Sequence, residues 1–264
     1  MLKQFSKNVL KISVLITAFV SLTGLVRAQE IVLDKQAELD QVYLKSNESA
    51  GLLPMNDLDM EFGYVLYESE IQVDQANSVL ELEHVRDYAV VFVDEQLQGT
   101  LTDGRKKVSL KVVPGKYKLK LYVENIGRIT YGPEILDNSR GLFGSVSLNA
   151  EEIENWTMTP LHIKGLDVAG LKFSTRKEGS IPGFLHGNFH IDLPKDGYLD
   201  ISGWGMGEVW INGKYIGSYW EEEKQQSIQV SADLLQKGLN AITVFELKNS
   251  GQKTMKITDQ PVFK

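Results

Sequence analysis

The chain has 264 residues, 42% of them hydrophobic and 24% charged, with a formal net charge of −7 and no cysteine. That is ordinary globular composition, with room for one large or two small domains, and it excludes a disulfide framework, a thiolate metal site and a lipid-modified cysteine. The acidic balance argues against nucleic acid as a partner.

Residues 1–28 stand apart. Lys3, Lys7 and Lys11 precede an apolar run from Ile12 to Val26, and Val26-Arg27-Ala28 supplies small residues where a signal peptidase reads. The run is short for a membrane span and polar sequence follows at once. A secretory signal cleaved near Ala28 is therefore expected, with a periplasmic or secreted product and no membrane contact afterwards. Its removal takes away Lys3, Lys7, Lys11 and Arg27 and no acid, which moves the net charge from −7 to −11. Asn47-Glu48-Ser49 and Asn155-Trp156-Thr157 fit the glycosylation pattern, but export without cysteine suits a bacterial protein, in which the pattern is read as chance.

From Gln29 to 57 the sequence is polar and acidic with weak apolar content, and a linker or arm is expected. From Phe62 onward short apolar or alternating runs follow one another: Gly63 to Ile71, Val79 to Leu82, Ala89 to Val93, Val108 to Val113, Tyr117 to Val123 and Gly144 to Leu148. Turn residues such as Asp94, Gly99, Asp103-Gly104 and Pro114-Gly115 separate them, the spacing of an antiparallel sandwich. Between Leu161 and Ser180 the periodicity lapses and glycines recur, so a domain boundary is expected there, with residues 58–164 as a first β-sandwich and 165–264 as a second.

The second half is organised around Gly203 to Trp220, which holds three of the four tryptophans. Asn212-Gly213 between apolar runs predicts a type I′ hairpin turn, because both turn positions need positive φ. The expected register sets Ile211 against Lys214, Trp210 against Tyr215 and Val209 against Ile216, with neither face fully solvated. The first half echoes it: Ala89 to Asp94 with Gly99 resembles Glu208 to Asn212 with Gly217, and each is followed by a strand after a glycine, Gly115 or Gly238.

Four stretches occur in a telling order: Phe62-Gly63-Tyr64-Val65-Leu66-Tyr67; Val85-Arg86-Asp87-Tyr88-Ala89 through Gly99; Val123-Glu124-Asn125-Ile126-Gly127-Arg128-Ile129-Thr130-Tyr131-Gly132; and the Trp-rich hairpin. Together, over roughly residues 54–264, the sequence resembles the two C-terminal β-domains of the family-35 β-galactosidases. The resemblance implies an all-β fold of two tandem β-sandwich domains, jelly-roll and galactose-binding-like. In that family a catalytic (β/α)8 barrel carrying both catalytic glutamates precedes these domains. No room for a barrel lies between Ala28 and Phe62, so a chain without catalytic activity of its own is expected.

The remaining chemistry agrees with that expectation. Glycosidases flank the scissile bond with two carboxyl groups, about 5–5.5 Å or 6.5–9.5 Å apart. Glu124-Asn125 superficially resembles an acid/base motif, but its flanks match the β-domain stretch, and Glu221-Glu222-Glu223 reads as a solvated loop. His186 and His190 are four apart in a strand region rather than on a helix, so no metal site is expected, and no cofactor. Gly203-x-Gly205-x-Gly207 precedes a hairpin, not a helix, which removes a nucleotide-binding reading.

Sugar recognition remains, since aromatic rings stack on sugar faces while polar groups hold hydroxyls. Candidates are Trp204, Trp210, Tyr215, Tyr219 and Trp220 in the second domain, any of which could instead be core, and Arg128 and Tyr131 in the first. The resemblance implies that Tyr131 lies on a loop directed toward a barrel's sugar site; Arg128 could contact ligand or pair with Glu124. Departures from the family pattern fall at Glu95, where glycine is usual, at Ser218, where arginine commonly precedes Tyr-Trp, and at Glu221-Glu222-Glu223-Lys224. The expected partners are β-galactosides or galactose-containing glycans, or a separately encoded catalytic barrel protein. A structural protein-binding module is the remaining alternative.

Overall fold

The computed structural model describes residues 29–127, 139–177, 182–248 and 251–264. Among these residues there is no α-helix; the chain forms strands joined by turns and short 3-10 segments. The strands of the first half are β1 (Gln29–Val32), β2 (Lys35–Glu38), β3 (Asn47–Ser49), β4 (Gly63–Val73), β5 (Val79–Arg86), β6 (Tyr88–Val93), β7 (Gln96–Thr102), β8 (Lys107–Ser109), β9 (Gly115–Asn125), β10 (Gly141–Leu148), β11 (Glu151–Glu152) and β12 (Trp156–Leu161). Those of the second are β13 (Ser174–Thr175), β14 (Gly183–Ile191), β15 (Gly197–Asp200), β16 (Met206–Ile211), β17 (Lys214–Trp220), β18 (Ser227–Val230), β19 (Gly238–Glu246) and β20 (Thr254–Thr258).

They assemble into four antiparallel sheets stacked as two sandwiches. The first pairs β11-β10-β5-β8 with β3-β12-β4-β9-β6-β7; the second pairs β13-β2-β14-β19-β16-β17 with β1-β20-β15-β18. Each sandwich has its own core. Val65, Tyr67, Val91, Leu121 and Trp156 pack inside the first, and Ile31, Leu199, Trp204, Val209 and Val244 inside the second.

A third core lies between the sandwiches, where the two six-stranded sheets meet face to face. Tyr64, Leu66, Tyr88, Val90, Phe92 and Tyr122 project from the first sandwich onto Phe184, Met206, Trp210 and Phe245 of the second. Side chains alternate along a strand, so a strand of such a sheet is apolar on both faces. That is why Tyr88–Val93 and Met206–Ile211 are buried at every position. Edge contacts between rings fasten the seam: Tyr64 stands on Phe245 with centroids 5.1 Å apart, and Tyr88 on Trp220 at 5.8 Å.

The expected arm at residues 29–57 is woven into the sheets instead. β1 pairs with β20 and β2 with β14, both in the second sandwich, while β3 pairs with β12 in the first. Ile31, Leu33 and Ala37 are buried, so this polar stretch contributes its few apolar residues to the cores. The segment after Leu161 is likewise packed down, with Ile163 and Val168 in the seam.

At the Trp-rich hairpin the predicted turn forms, with Asn212 at φ 51° and Gly213 at φ 77°. Ile211 faces Lys214 and Trp210 faces Tyr215, but Val209 faces Gly217 rather than Ile216, because a bulge intervenes between Val209 and Trp210. The same irregularity recurs in the first sandwich, where Val91 faces Gly99 and Phe92 faces Leu97. Of the two residues in that turn Asp94 takes positive φ, 51°, and Glu95 does not, so Glu95 needs none of a glycine's freedom.

Candidate functional site

Charged side chains on strands buried from both sides must find partners, and at one end of the seam five polar groups do so together. Strand β4 opens on Gly63 and directs Tyr64 into the seam; β9 places Glu124 opposite it in the ladder. From the second sandwich β16 contributes Glu208 and β17 contributes Tyr215, and Lys164 reaches in from the segment that leaves β12.

The Tyr64 hydroxyl lies 2.7 Å from Glu208 Oε1 and 3.1 Å from Glu124 Oε1. Lys164 Nζ donates to Glu208 Oε1, and the Tyr215 hydroxyl donates to Glu208 Oε2 at 2.7 Å. The ammonium also sits 5.5 Å from the centre of the Tyr64 ring. Glu208 is 0% exposed and Glu124 3%.

These two carboxyls are not equivalent. One hydroxyl carries one proton, and the shorter contact gives it to Glu208, whose charge is met by three donors. Glu124 has no such company, and its Oε2 makes no hydrogen bond. Burial pushes its carboxyl up to about 7, with Glu208 adding to the rise and Lys164 opposing it. Below about 7 Glu124 therefore holds its own proton and can donate it to the Tyr64 oxygen. Burial, then Glu124 and Glu208, raise the Tyr64 hydroxyl well above its ordinary range.

A second buried carboxyl braces the hairpin. Glu246 accepts from the Tyr219 hydroxyl at 3.0 Å and from the backbone N–H groups of Gly205 and Lys248. Close packing against β19 explains the glycine density at the start of β16. A Cβ at Gly207 would lie 1.7 Å from the Phe245 carbonyl oxygen, and one at Gly205 2.7 Å from Glu246 Oε1. Glu221 belongs to this end too: it accepts from Lys248 Nζ at 2.7 Å and from the Tyr88 hydroxyl at 3.2 Å. Of the expected solvated run, only Glu222 and Glu223 are exposed.

Trp210 and Tyr219 are core residues, 3% and 4% exposed, and Trp204 is sealed in the second core. Trp220 is half-buried against Tyr88, with its ring N–H enclosed and unpartnered. Tyr215 remains open to solvent at 52% while its hydroxyl is anchored on Glu208. Arg128 and Tyr131 lie outside the described residues. The flanks of their segment are held: Arg140 Nε donates to the Gly127 carbonyl at 3.0 Å, and the Ile126 N–H donates to Asp87. Of the histidines, His186 faces Thr243 and Phe173. His190 lies beside Asp192.

Residues 53–162 match the family described as "Beta-galactosidase, first all-beta domain", and residues 182–240 match "Beta-galactosidase, galactose-binding domain". The chain belongs to the β-galactosidase family. Beta-galactosidase-1-like protein 2 of Homo sapiens is 33% identical over 219 residues, covering 79% of this chain and 33% of that protein. The Beta-galactosidase of Xanthomonas manihotis is 34% identical over 177 residues, covering 66% of this chain and 29% of that enzyme. This member of the family thus spans about a third of the length of those relatives.

Sequence reasoning passed over Tyr64, Lys164 and Glu208 as site residues. The signal was a lone acid inside an otherwise apolar strand, Glu208 between Gly207 and Val209, and it became legible only once the second face of that strand was seen to be covered.

Proposed function

We propose that this chain is an exported carbohydrate-binding or accessory module of β-galactosidase ancestry that does not itself cleave glycosidic bonds. The observation that carries this reading is the burial of Glu124 and Glu208. A glycosidase needs its two carboxyls open on either side of a bound sugar, yet these two are sealed on the buried Tyr64 hydroxyl, and no sugar can pass between them without opening the seam. Galactose-containing glycans are the ligand class, supported by the family matched over residues 182–240 and by the relatives' names. Export is supported by the basic residues and apolar run of residues 1–28.

Saturable binding of a galactose-terminated glycan in a screen, with no turnover of an aryl β-galactoside, is the expected result. Turnover that survives repurification and disappears in Glu208→Gln would overturn the non-catalytic reading. A second reading is favoured by the coverage of only a third of the relatives' length: the chain works beside a separately encoded catalytic barrel. Stoichiometric co-purification with a barrel protein, in place of glycan binding by the chain alone, would select it.

A further inference from the structure

Beside the carboxyl knot the surface carries a hollow of about 340 Å³, walled by Leu44, Asp59, Glu61, Phe62, His162 and Lys164. Its floor is Gly63, at φ 113° and without a side chain, and the buried Leu161. Its walls are fixed by main-chain bonds. The Leu44 N–H donates to the Pro160 carbonyl at 2.9 Å, and the His162 N–H to that of Val42 at 2.8 Å. Across the hollow, the Met60 N–H donates to the Met55 carbonyl at 2.9 Å, and Asn125 Nδ2 to that of Glu61 at 2.8 Å.

Phe62 is 52% exposed and Leu44 47%, and neither joins any of the three cores, so folding leaves apolar area here that a ligand could cover. Around that apolar rim stand acceptors at Asp59 and Glu61 and donors at Lys164 and His162. An aromatic face flanked by groups of both kinds suits the two surfaces of a pyranose, its C–H face and its hydroxyl edge. The charge of Lys164 is already engaged by Glu208, which leaves the two exposed carboxylates in surplus and disfavours an anionic sugar. The volume lies at the small end for ligand sites, room for roughly one or two sugar rings.

We propose that this hollow on the first sandwich is a neutral-glycan site, with Phe62 as the stacking platform and Lys164 tying the bound sugar to the seam. The proposal rests on the carbohydrate-binding reading above and adds the place and the charge preference. Calorimetric titration of the full chain with lactose, and separately with galacturonic acid, tests it against two variants. The wild type is expected to bind lactose saturably and galacturonic acid at least tenfold more weakly. Phe62→Ala is expected to weaken lactose binding at least tenfold with an unchanged melting temperature, and Phe263→Ala, which removes an exposed aromatic elsewhere, to leave it unchanged. Lactose binding undiminished in Phe62→Ala would overturn this site while leaving the chain a carbohydrate binder; equal or tighter binding of galacturonic acid would overturn the charge argument. No lactose binding by the wild type would overturn the site and the carbohydrate-binding reading together.

Discussion

Replacing Glu124 by glutamine should change how stability depends on pH more than it changes stability itself. In the folded chain burial holds this carboxyl up to about 7, against an ordinary value of 4.5. Below 4.5 both folded and unfolded chains keep the proton, and stability is at its full value. Between 4.5 and 7 the unfolded chain has released it and the folded chain has not, so each step upward in pH favours unfolding. Above 7 both states have lost it and the effect levels off. At about 1.4 kcal/mol per pH unit, the loss across the window is about 3 kcal/mol. Glu208, Lys164, Tyr64, Tyr215 and Asp87 face or surround the group and stay in place in the variant. Glu246, raised by burial, and His186, lowered by burial, also tilt the curve, but equally in both proteins. Urea unfolding followed by tryptophan emission, with Trp156 and Trp204 fully enclosed as reporters, should be run from pH 4 to 8.5. The wild type should lose about 3 kcal/mol relative to Glu124→Gln between pH 4.5 and 7.5. Parallel curves, offset by any constant amount, would refute the reasoning.

Three further perturbations test other parts of the chain. Gly207→Ala should abolish soluble expression, because its Cβ would fall 1.7 Å from the Phe245 carbonyl oxygen, backbone that cannot yield. Deleting residues 29–38 removes β1 and β2 with the buried Ile31 and Leu33, at roughly 1.5–3 kcal/mol for each enclosed side chain, and should lower the urea midpoint markedly; an unchanged midpoint would show the arm to be dispensable. Tyr131→Ala should weaken glycan or partner binding by roughly 1 to 3 kcal/mol without moving the melting temperature; a large fall in melting temperature would make Tyr131 structural.

What could be read in advance depended on how local the determinant was. Asn212-Gly213 specifies its turn through backbone preference alone, and the Trp210–Tyr215 pair follows from it. The bulge beyond was marked as well, by a glycine four residues after the turn in each hairpin, Gly99 and Gly217, since glycine inside a strand often signals one. The arm was opaque because β1 and β2 are four-residue strands whose partners lie far along the chain, Gln29 against Ile257 and Lys35 against His186. Glu124 and Glu208 were opaque for another reason. Alternation assigns a charged strand residue to the solvent face, and here that face meets a second sandwich.

The knot also bears on why the two sandwiches meet in one orientation. Aliphatic and aromatic faces such as Leu66, Val90, Phe92 and Trp210 would pack acceptably in several registers, because burial is not directional. A hydroxyl 2.7 Å from Glu208, with Lys164 and Tyr215 converging on the same carboxylate, is satisfied in only one. Buried ionic groups contribute little net stability against apolar replacements of similar size, so their effect is expected in uniqueness instead. Replacing the group together, with Tyr64→Phe, Glu124→Leu, Lys164→Met and Glu208→Met, should leave the urea midpoint near or above that of the wild type. Breaking it singly with Lys164→Met strands the Glu208 charge and should cost about 3 kcal/mol or more. In amide NMR spectra the quadruple variant should show doubled or broadened resonances for seam strands β4, β9, β16 and β19, while the outer sheets stay sharp. Single sharp resonances throughout, at undiminished stability, would mean that the apolar seam alone selects the orientation and that the knot serves the neighbouring surface rather than the fold.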